Sequence, residues 1–249
     1  MAERVVVITG ASGGIGAALA GQLAARGDAV VLVARRAAEL RAVADRCGER
    51  AHAVVADVTD REAVRGVVRE AVARFGHIDV WVNNVGRGIS RMPSALTDED
   101  VDDVMRVNVK SALYGMQEVL PHFAERGTGH IVNVSSMLGR IPHAVARSAY
   151  NGAKHFLNAI TANLREELRE TQPGVQLSLV SPGVVATDFG LNAMHGGPDS
   201  RALPTAQPVE EVAAVIVHVI DTRAPDVYTR AGSRQRVLDY FASHGADPA

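Results

Sequence analysis

Six short runs of apolar, mostly β-branched residues recur along the chain: RVVVIT (4–9), AVVLVA (29–34), HAVVA (52–56), IDVWVN (78–83), HIVNVS (130–135) and VQLSLVS (175–181). Their apolar positions are nearly continuous instead of alternating, the pattern of strands buried on both faces of a parallel sheet. Between them lie longer stretches of helical period. Two of these open on a Thr-x-x-acid pattern, TDRE (59–62) and TDED (97–100), which predicts helix starts closed by a capping box. Strand, helix, strand repeated in this way requires right-handed crossovers with helices on both faces. The pattern therefore predicts an α/β fold, a doubly wound parallel sheet of Rossmann type. No Pro- or Ser-rich linker and no fixed-period repeat interrupts it, so a single domain is expected over 1–249. After the sixth run, PDVYT (225–229) predicts a short strand, followed by a charged helix and a polar end.

Composition narrows the class. Hydrophobic content of 47% without low-complexity segments predicts a packed globular protein. A formal net charge of −2 offers no general attraction to nucleic acid or anionic membrane. The longest apolar run, VAAVIVHVI (212–220), is too short to span a bilayer and contains His218. MAERVVVITG lacks the basic region, long apolar stretch and cleavage site of a secretory signal. A soluble, cytoplasmic protein is the expectation. Cys47 is the only cysteine, which excludes an intrachain disulfide, and no His, Cys or carboxylate set has metal-ligand spacing, so no metal is expected.

The first strand runs into TGASGGIGAALA (9–20), which opens the first helix at the place where a dinucleotide pyrophosphate binds. Gly10 permits the tight turn, Gly14 lets the backbone approach a cofactor, and Gly16 permits close helix–strand packing; Ser12 and Ile15 belong to the same turn. The helix start adds free amides and partial positive charge for phosphate. At the end of the second strand an acid would select the ribose hydroxyl of NAD. VARR instead places Ala34 there, followed by Arg35 and Arg36, whose planar forks match a phosphate. This predicts NADP(H), with Arg35 as the main phosphate contact and Ser12 as helper. The plainer alternative is two arginines opening a solvated helix. Further along, SAYNGAKHF (148–156) places Tyr150 and Lys154 four residues apart, on one helix face.

In this order and spacing, TGASGGIG (9–16), DVT (57–59), NNVG (83–86), Asn108 in VNVKS, Ser136 in NVSSMLG, YNGAK (150–154) and PGVVAT (182–187) resemble the short-chain dehydrogenase/reductase family, single-domain Tyr-x-x-x-Lys branch, across almost the whole chain. The resemblance implies that Tyr150 exchanges a proton with the substrate oxygen. A free phenol ionises near pH 10, so Lys154 and the positive oxidised nicotinamide are expected to lower that value. Lys154 would also hold the nicotinamide ribose. Ser136 would hydrogen-bond the carbonyl oxygen, with Ser135 turned to the opposite face. Ser136 to Tyr150 is fourteen residues, one more than the commonest family spacing, and the loop RIPHAVAR (140–147) is expected to absorb the extra one. Asn108 would bind a proton-relaying water; the plainer alternative is a buried Asn bonded to nearby backbone. By the same resemblance Asp57 and Val58 contact adenine, and Asn84, Val85 and Gly86 line the cofactor, with Val85 where the family usually has alanine. Pro182, Gly183, Val185 and Thr187 would wrap the nicotinamide side.

The segment DFGLNAMHGGPDSRALP (188–204) is long for a connection and is expected to form a substrate lid. Phe189, Leu191 and Met194, with Met137, Leu138 and Met92, would give an apolar underside suited to a hydrophobic small-molecule carbonyl or alcohol. His143 and His195 receive no role. The expected activity is hydride transfer between NADP(H) and a ketone, aldehyde or secondary alcohol. The alternative is a redox sensor that binds NADP without chemistry. An epimerase or dehydratase of sugar nucleotides would need a larger C-terminal substrate domain. A homodimer through the helices carrying Asn108 and Tyr150 is expected, with a tetramer left open.

Overall fold

Each apolar run becomes a strand in the computed structural model, which describes residues 4–245. The strands are β1 (Val5–Thr9), β2 (Ala29–Ala34), β3 (Ala51–Val55), β4 (Val80–Asn83), β5 (Gly129–Val134), β6 (Val175–Ser181) and β7 (Asp226–Tyr228). The helices are α1 (Gly14–Ala25), α2 (Ala37–Cys47), α3 (Arg61–Phe75), α4 (Asp98–Met105), α5 (Ser111–Arg126), α6 (Ser148–Thr171), α7 (Val209–Thr222) and α8 (Ser233–Ser243). The sheet has the order β3-β2-β1-β4-β5-β6-β7, with every pairing parallel. The expected α/β doubly wound sheet is the observed fold.

Burial explains why the strand runs read as continuous. Every residue of β1, β2, β4 and β5 is buried, whereas edge strand β3 and outer strand β7 are mostly not. Successive side chains of a strand point to opposite faces. Val6 and Ile8 accordingly enter the layer of Leu19, Leu23, Leu40 and Ile216, while Val5 and Val7 enter that of Val67, Met116, Phe123 and Leu168. Parallel strands need crossovers, and the helices that supply them cover both faces.

One of the two capping boxes forms. Thr97 accepts from Asp100 N while Asp100 accepts from Thr97 N at the start of α4. The box expected in 59–62 does not: Asp60 caps α3 through Glu62 N. The Thr59 hydroxyl is committed elsewhere, donating to Asp57 at 2.9 Å and accepting from Arg106 Nη1 at 2.9 Å. Between α4 and α5 the helix widens into a π-helical turn, Arg106–Lys110, which periodicity does not reveal. The short strand and charged helix expected near the C-terminus are β7 and α8; the polar end at 246–249 and residues 1–3 lie outside the described residues. Among the described residues no helix is long and apolar enough to cross a membrane.

A buried polar ladder ties the centre of the sheet to α6. Trp81 Nε1 donates to Asn83 Oδ1, Asn83 Nδ2 to Asn133 Oδ1, and Asn133 Nδ2 to Thr161 Oγ1, each at 2.8 Å. Asn133 and Thr161 are fully buried, so no solvent replaces a lost partner. Asn133→Ala should therefore destabilise the fold by about 2–3 kcal/mol, read from urea unfolding, through the polar groups it strands. An unchanged midpoint would show that the ladder carries no weight.

Candidate active site

The strand order reverses direction between β1 and β4, and ligands of open α/β sheets bind outside the carboxyl ends of the strands at such a point. At that edge α1 starts almost in contact with the turn that precedes it. A Cβ on Gly16 would collide with the carbonyl oxygen of Gly10 and lie 2.8 Å from Asn84 Nδ2. Asn84 holds this turn, its amide donating to Thr9 Oγ1 at 3.0 Å and its side chain to Thr9 O at 3.1 Å. Val85 packs its extra bulk on the same turn, 3.3 Å from where a Gly10 Cβ would stand. Thr187, after β6, approaches Gly14 from the opposite wall. The start of α1 has neither a side-chain cap nor an acid in its first turn. Its first amides, around Gly14 and Ile15, remain available to an anion, so the residues fit a pyrophosphate.

Beyond β2 the two arginines point different ways. Arg36 reaches back to Ser12, with Nε and Nη2 at 3.1 and 3.0 Å from Oγ, whereas Arg35 points to Asp57 at 3.4 Å. The guanidinium beside the glycine turn is therefore that of Arg36. Burial pushes the Asp57 carboxyl up, but the Thr59 amide and hydroxyl and Arg35 hold it below the usual carboxylate range. Val58 is buried next to it.

The second half of the site hangs on the junction of β5 with α6. Ser136 follows β5 and accepts from Leu138 N at 3.1 Å, which starts a short turn, Met137–Gly139. Gly139 ends the turn because α6 passes so close: a Cβ there would lie 2.8 Å from Lys154 O. Asn158 clamps the contact, donating to Gly139 O at 2.6 Å and accepting from Ser135 Oγ. Ser135 is thus turned to α6. In the loop before Tyr150, Ala144 adopts a left-handed backbone, φ +71°, ahead of a short helical turn at Val145–Arg147.

Tyr150 and Lys154 share one face of α6, both buried. Lys154 Nζ donates to Val134 O at 3.0 Å and lies 5.8 Å from the centroid of the Tyr150 ring. Gly86, at the end of β4, closes this corner, with its Cβ position 3.6 Å from Lys154 Nζ and 3.1 Å from Asn108 Oδ1. Asn108 sits in the π-helical turn. Its Nδ2 donates to Arg87 O and Val104 O at 3.0 and 2.9 Å, and its Oδ1 accepts from Arg87 N at 3.0 Å. The plainer alternative for this residue, bonding to nearby backbone, is the geometry observed, with one Oδ1 lone pair left over.

In the protein alone, burial opposes ionisation of the phenol. Burial pushes the Tyr150 phenol up to about 12, against a hydrogen bond from Ser136 and the charge of Arg147, both of which favour the phenolate. Burial likewise pulls the Lys154 ammonium down to about 8. Without a bound cation the protein holds a protonated phenol, and Lys154 does not by itself bring it near neutrality.

On the substrate side, Leu138, Phe189 and Met194 pack around Tyr150, Ile89 and Ala153, and the Phe189 ring meets Tyr150 edge-on at 5.7 Å. Met137 is buried beside Pro182, to whose carbonyl it donates. Leu191 and Met92, expected on the underside, are about half exposed at 49% and 54%. After β6, Val185 bridges to Gln207, its carbonyl accepts from Thr187 N, and Gly183 is exposed. The 188–204 segment is fastened to the loop after β4: Met194 N donates to Gly88 O and Ser90 N to Met194 O, each at 2.9 Å. His195, given no role from sequence, lies 2.7 Å from Asp100, which also pairs with Arg91 at 3.1 Å. Sequence reading missed this clasp because Asp100 already had a reason to exist as a capping residue. It also missed Arg147, whose proximity to Tyr150 is the only local signal. Among the described residues no cluster of three or more His, Cys, Asp or Glu could hold a metal ion.

A family model described as short chain dehydrogenase matches residues 4–195. An uncharacterized oxidoreductase of Staphylococcus epidermidis is 36% identical over 194 residues, covering 76% of this chain and 83% of that protein. Among solved structures, a short-chain dehydrogenase from Streptomyces avermitilis superposes with a TM-score of 0.86 at 28% identity, covering 98% of this chain and 93% of that one. An alcohol dehydrogenase from the archaeon Thermococcus sibiricus, complexed with 5-hydroxy-NADP, gives 0.79 at 26% identity, covering 91% and 96%.

The depressed Lys154 pKa has a consequence for stability. Between about pH 8 and the ordinary lysine value the unfolded chain binds a proton that the fold does not, so stability rises with pH in that window. Tyr150, raised to about 12, opposes this only above its ordinary value of about 10. Relative to Lys154→Met, the cofactor-free protein should thus gain stability between about pH 8 and 10, measured by urea unfolding at several pH values. Parallel curves for the two proteins would remove the buried-ammonium assignment.

Proposed function

Because the chain belongs to the short-chain dehydrogenase family, it is an NAD(P)(H)-dependent oxidoreductase of that family's general kind, and we propose that it uses NADP(H) to interconvert a ketone or aldehyde and the corresponding alcohol, acting on substrates with an apolar body. The observation that carries this reading is the convergence of Tyr150, Lys154 and Ser136 at the carboxyl edge of the sheet, beside the uncapped start of α1. In the reductive direction the Tyr150 phenol gives its proton to the substrate oxygen, while the Ser136 hydroxyl hydrogen-bonds that oxygen as negative charge develops. When bound, the nicotinamide supplies or accepts the hydride and, oxidised, carries a positive charge. A cation about 4 Å from the phenol is worth about 4 kcal/mol at an effective dielectric near 20. That is enough to take Tyr150 from about 12 to below its ordinary value. Asn108 acts by fixing the Arg87 backbone, and its remaining lone pair is free to take a water.

The choice of NADP(H) rests on Arg36 and Ser12, which form a paired donor set next to the glycine turn, with Arg35 at the flank. Phe189, Leu138 and Met194 favour an apolar body around the reacting carbon. Residues 188–204 serve as the lid, closing through the Met194 backbone pairing and the His195–Asp100 contact. Two copies would pair along α4 and α6, where Leu96, Val101, Met105 and Ala149 line an open groove of about 280 Å³ that is mostly apolar.

Tyr150→Phe should lower kcat by about 10²–10⁴-fold with NADPH binding unchanged, measured by NADPH absorbance and by fluorescence titration. Full turnover in that variant would remove the proton-donor role. Arg36→Ala should lower kcat/KM for NADPH by roughly 10–100-fold, the weight of hydrogen bonds to a charged group, and leave that for NADH nearly unchanged. An enzyme that prefers NADH from the start would overturn the cofactor assignment.

A further inference from the structure

Arg147 closes the helical turn before α6, three residues ahead of Tyr150, and its guanidinium makes no hydrogen bond among the described residues; Nη1 is buried without a partner. The guanidinium sits where the loop after β4 meets the 188–204 segment. A Cβ on Gly88 would stand 2.7 Å from its Nη1 and 3.1 Å from Phe189 Cε1. A Cβ on Gly197 would stand 3.0 Å from its Nη2 and 3.1 Å from Ser90 Oγ. Phe189 in turn lies edge-on against Tyr150. The positive group is therefore lodged in the wall of the substrate space, one aromatic ring from the phenol.

The other basic side chains at this seam are engaged. Arg91 and His195 share Asp100, and Arg87 Nε donates to Asn192 O at 3.1 Å. Only Arg147 is left over, and no carboxylate of the described residues pairs with it. Guanidinium keeps its charge at any ordinary pH. Arg147 is half-buried, and its buried Nη1 lacks a partner, an arrangement that carries a desolvation cost. Burial pulls its pKa below the arginine value and the nearby phenol opposes this. A planar anion entering with the substrate would satisfy the fork and relieve that penalty.

We propose that Arg147 is a specificity-determining residue that binds a carboxylate of the substrate, so that the preferred substrates are oxo acids and the matching hydroxy acids, with their carbon chain against Phe189, Ile89 and Met194. This rests on the oxidoreductase reading above and narrows it. An apolar body and an acidic end are compatible, because the collar around Tyr150 is apolar and the guanidinium lies beyond Phe189.

The test compares an oxo acid, its methyl ester and the methyl ketone of equal length with NADPH, using the full chain, Arg147→Met and Arg147→Lys. In parallel, the straight-chain carboxylate of that length, which cannot be reduced, is titrated calorimetrically into each protein with NADP+ present. Wild type should favour the acid by at least about tenfold in kcat/KM, the effect of one charged hydrogen-bonded contact. Arg147→Met should erase that preference, costing the acid at least about tenfold more in kcat/KM than the ester, and Arg147→Lys should restore part of it. Carboxylate binding should vanish in Arg147→Met and persist in Tyr150→Phe. Equal losses on acid and ester would show that Arg147 only fastens the lid, and a wild type indifferent to the acid would overturn the proposal. If no carbonyl compound is reduced, the oxidoreductase reading fails, while the titration still decides Arg147: binding that depends on it supports the carboxylate site, and absence of binding to wild type overturns it.

Discussion

The site depends on one electrostatic constraint, an ammonium held out of water with a single backbone acceptor. Lys154 is buried, and its Nζ donates to Val134 O at the last residue of β5. Such a group is tolerated only where the surroundings leave it no alternative geometry. The junction of β5 and α6 supplies that rigidity. Gly139 lets the turn after β5 touch the α6 backbone at Lys154, Asn158 pins that turn, and the Asn83–Asn133–Thr161 ladder fixes α6 to the middle of the sheet. Tyr150, one helical turn earlier on the same face, inherits its position from these contacts.

The two halves of the site are built from different materials. The half at the start of α1 uses main chain: a glycine turn and an uncapped helix start, whose charge is partial and whose position is set by backbone packing. The half around Tyr150 and Lys154 uses side chains on α6 and the end of β5, where pKa values are shifted by burial. β4 joins them. Asn84 grips the glycine turn on one side, and Gly86 leaves room for Lys154 and Asn108 on the other. A four-residue strand and the three residues after it thus set the distance between the glycine turn and the Tyr150–Lys154 pair.

The sheet was legible because parallel strands buried on both faces write uninterrupted apolar runs, and six of those runs are strands in the structure. That Tyr150 and Lys154 share one face of α6, and that the glycine turn opens α1, was legible because short-range spacing places them. What stayed hidden depends on contacts between segments far apart in sequence. The π-helical turn at Arg106–Lys110 has no periodic signature. That Arg36 meets Ser12 while Arg35 turns to Asp57 is a contact between separate segments, which no local pattern records. Thr59 satisfied a capping pattern on paper, but Asp57 and Arg106 claim its hydroxyl in space. Likewise the direction of the Tyr150 pKa in the protein alone follows from its degree of burial, a tertiary property.

The seam between the loop after β4 and the 188–204 segment shows how strictly polar groups are settled around this site. A single buried carboxylate, Asp100, caps α4 through Thr97, pairs with Arg91 and receives His195. It thereby connects a helix start, a loop and the 188–204 segment, so that movement of one is resisted by the others. Ser90 and Met194 complete the join through main-chain hydrogen bonds. Against that background an unpaired guanidinium in the same seam is out of keeping with its neighbours. Packing alone does not account for it, since an apolar side chain would fill the space between Gly88 and Gly197 without the desolvation penalty. A charge retained there, within the electrostatic reach of the phenol, makes physical sense when its partner arrives from outside.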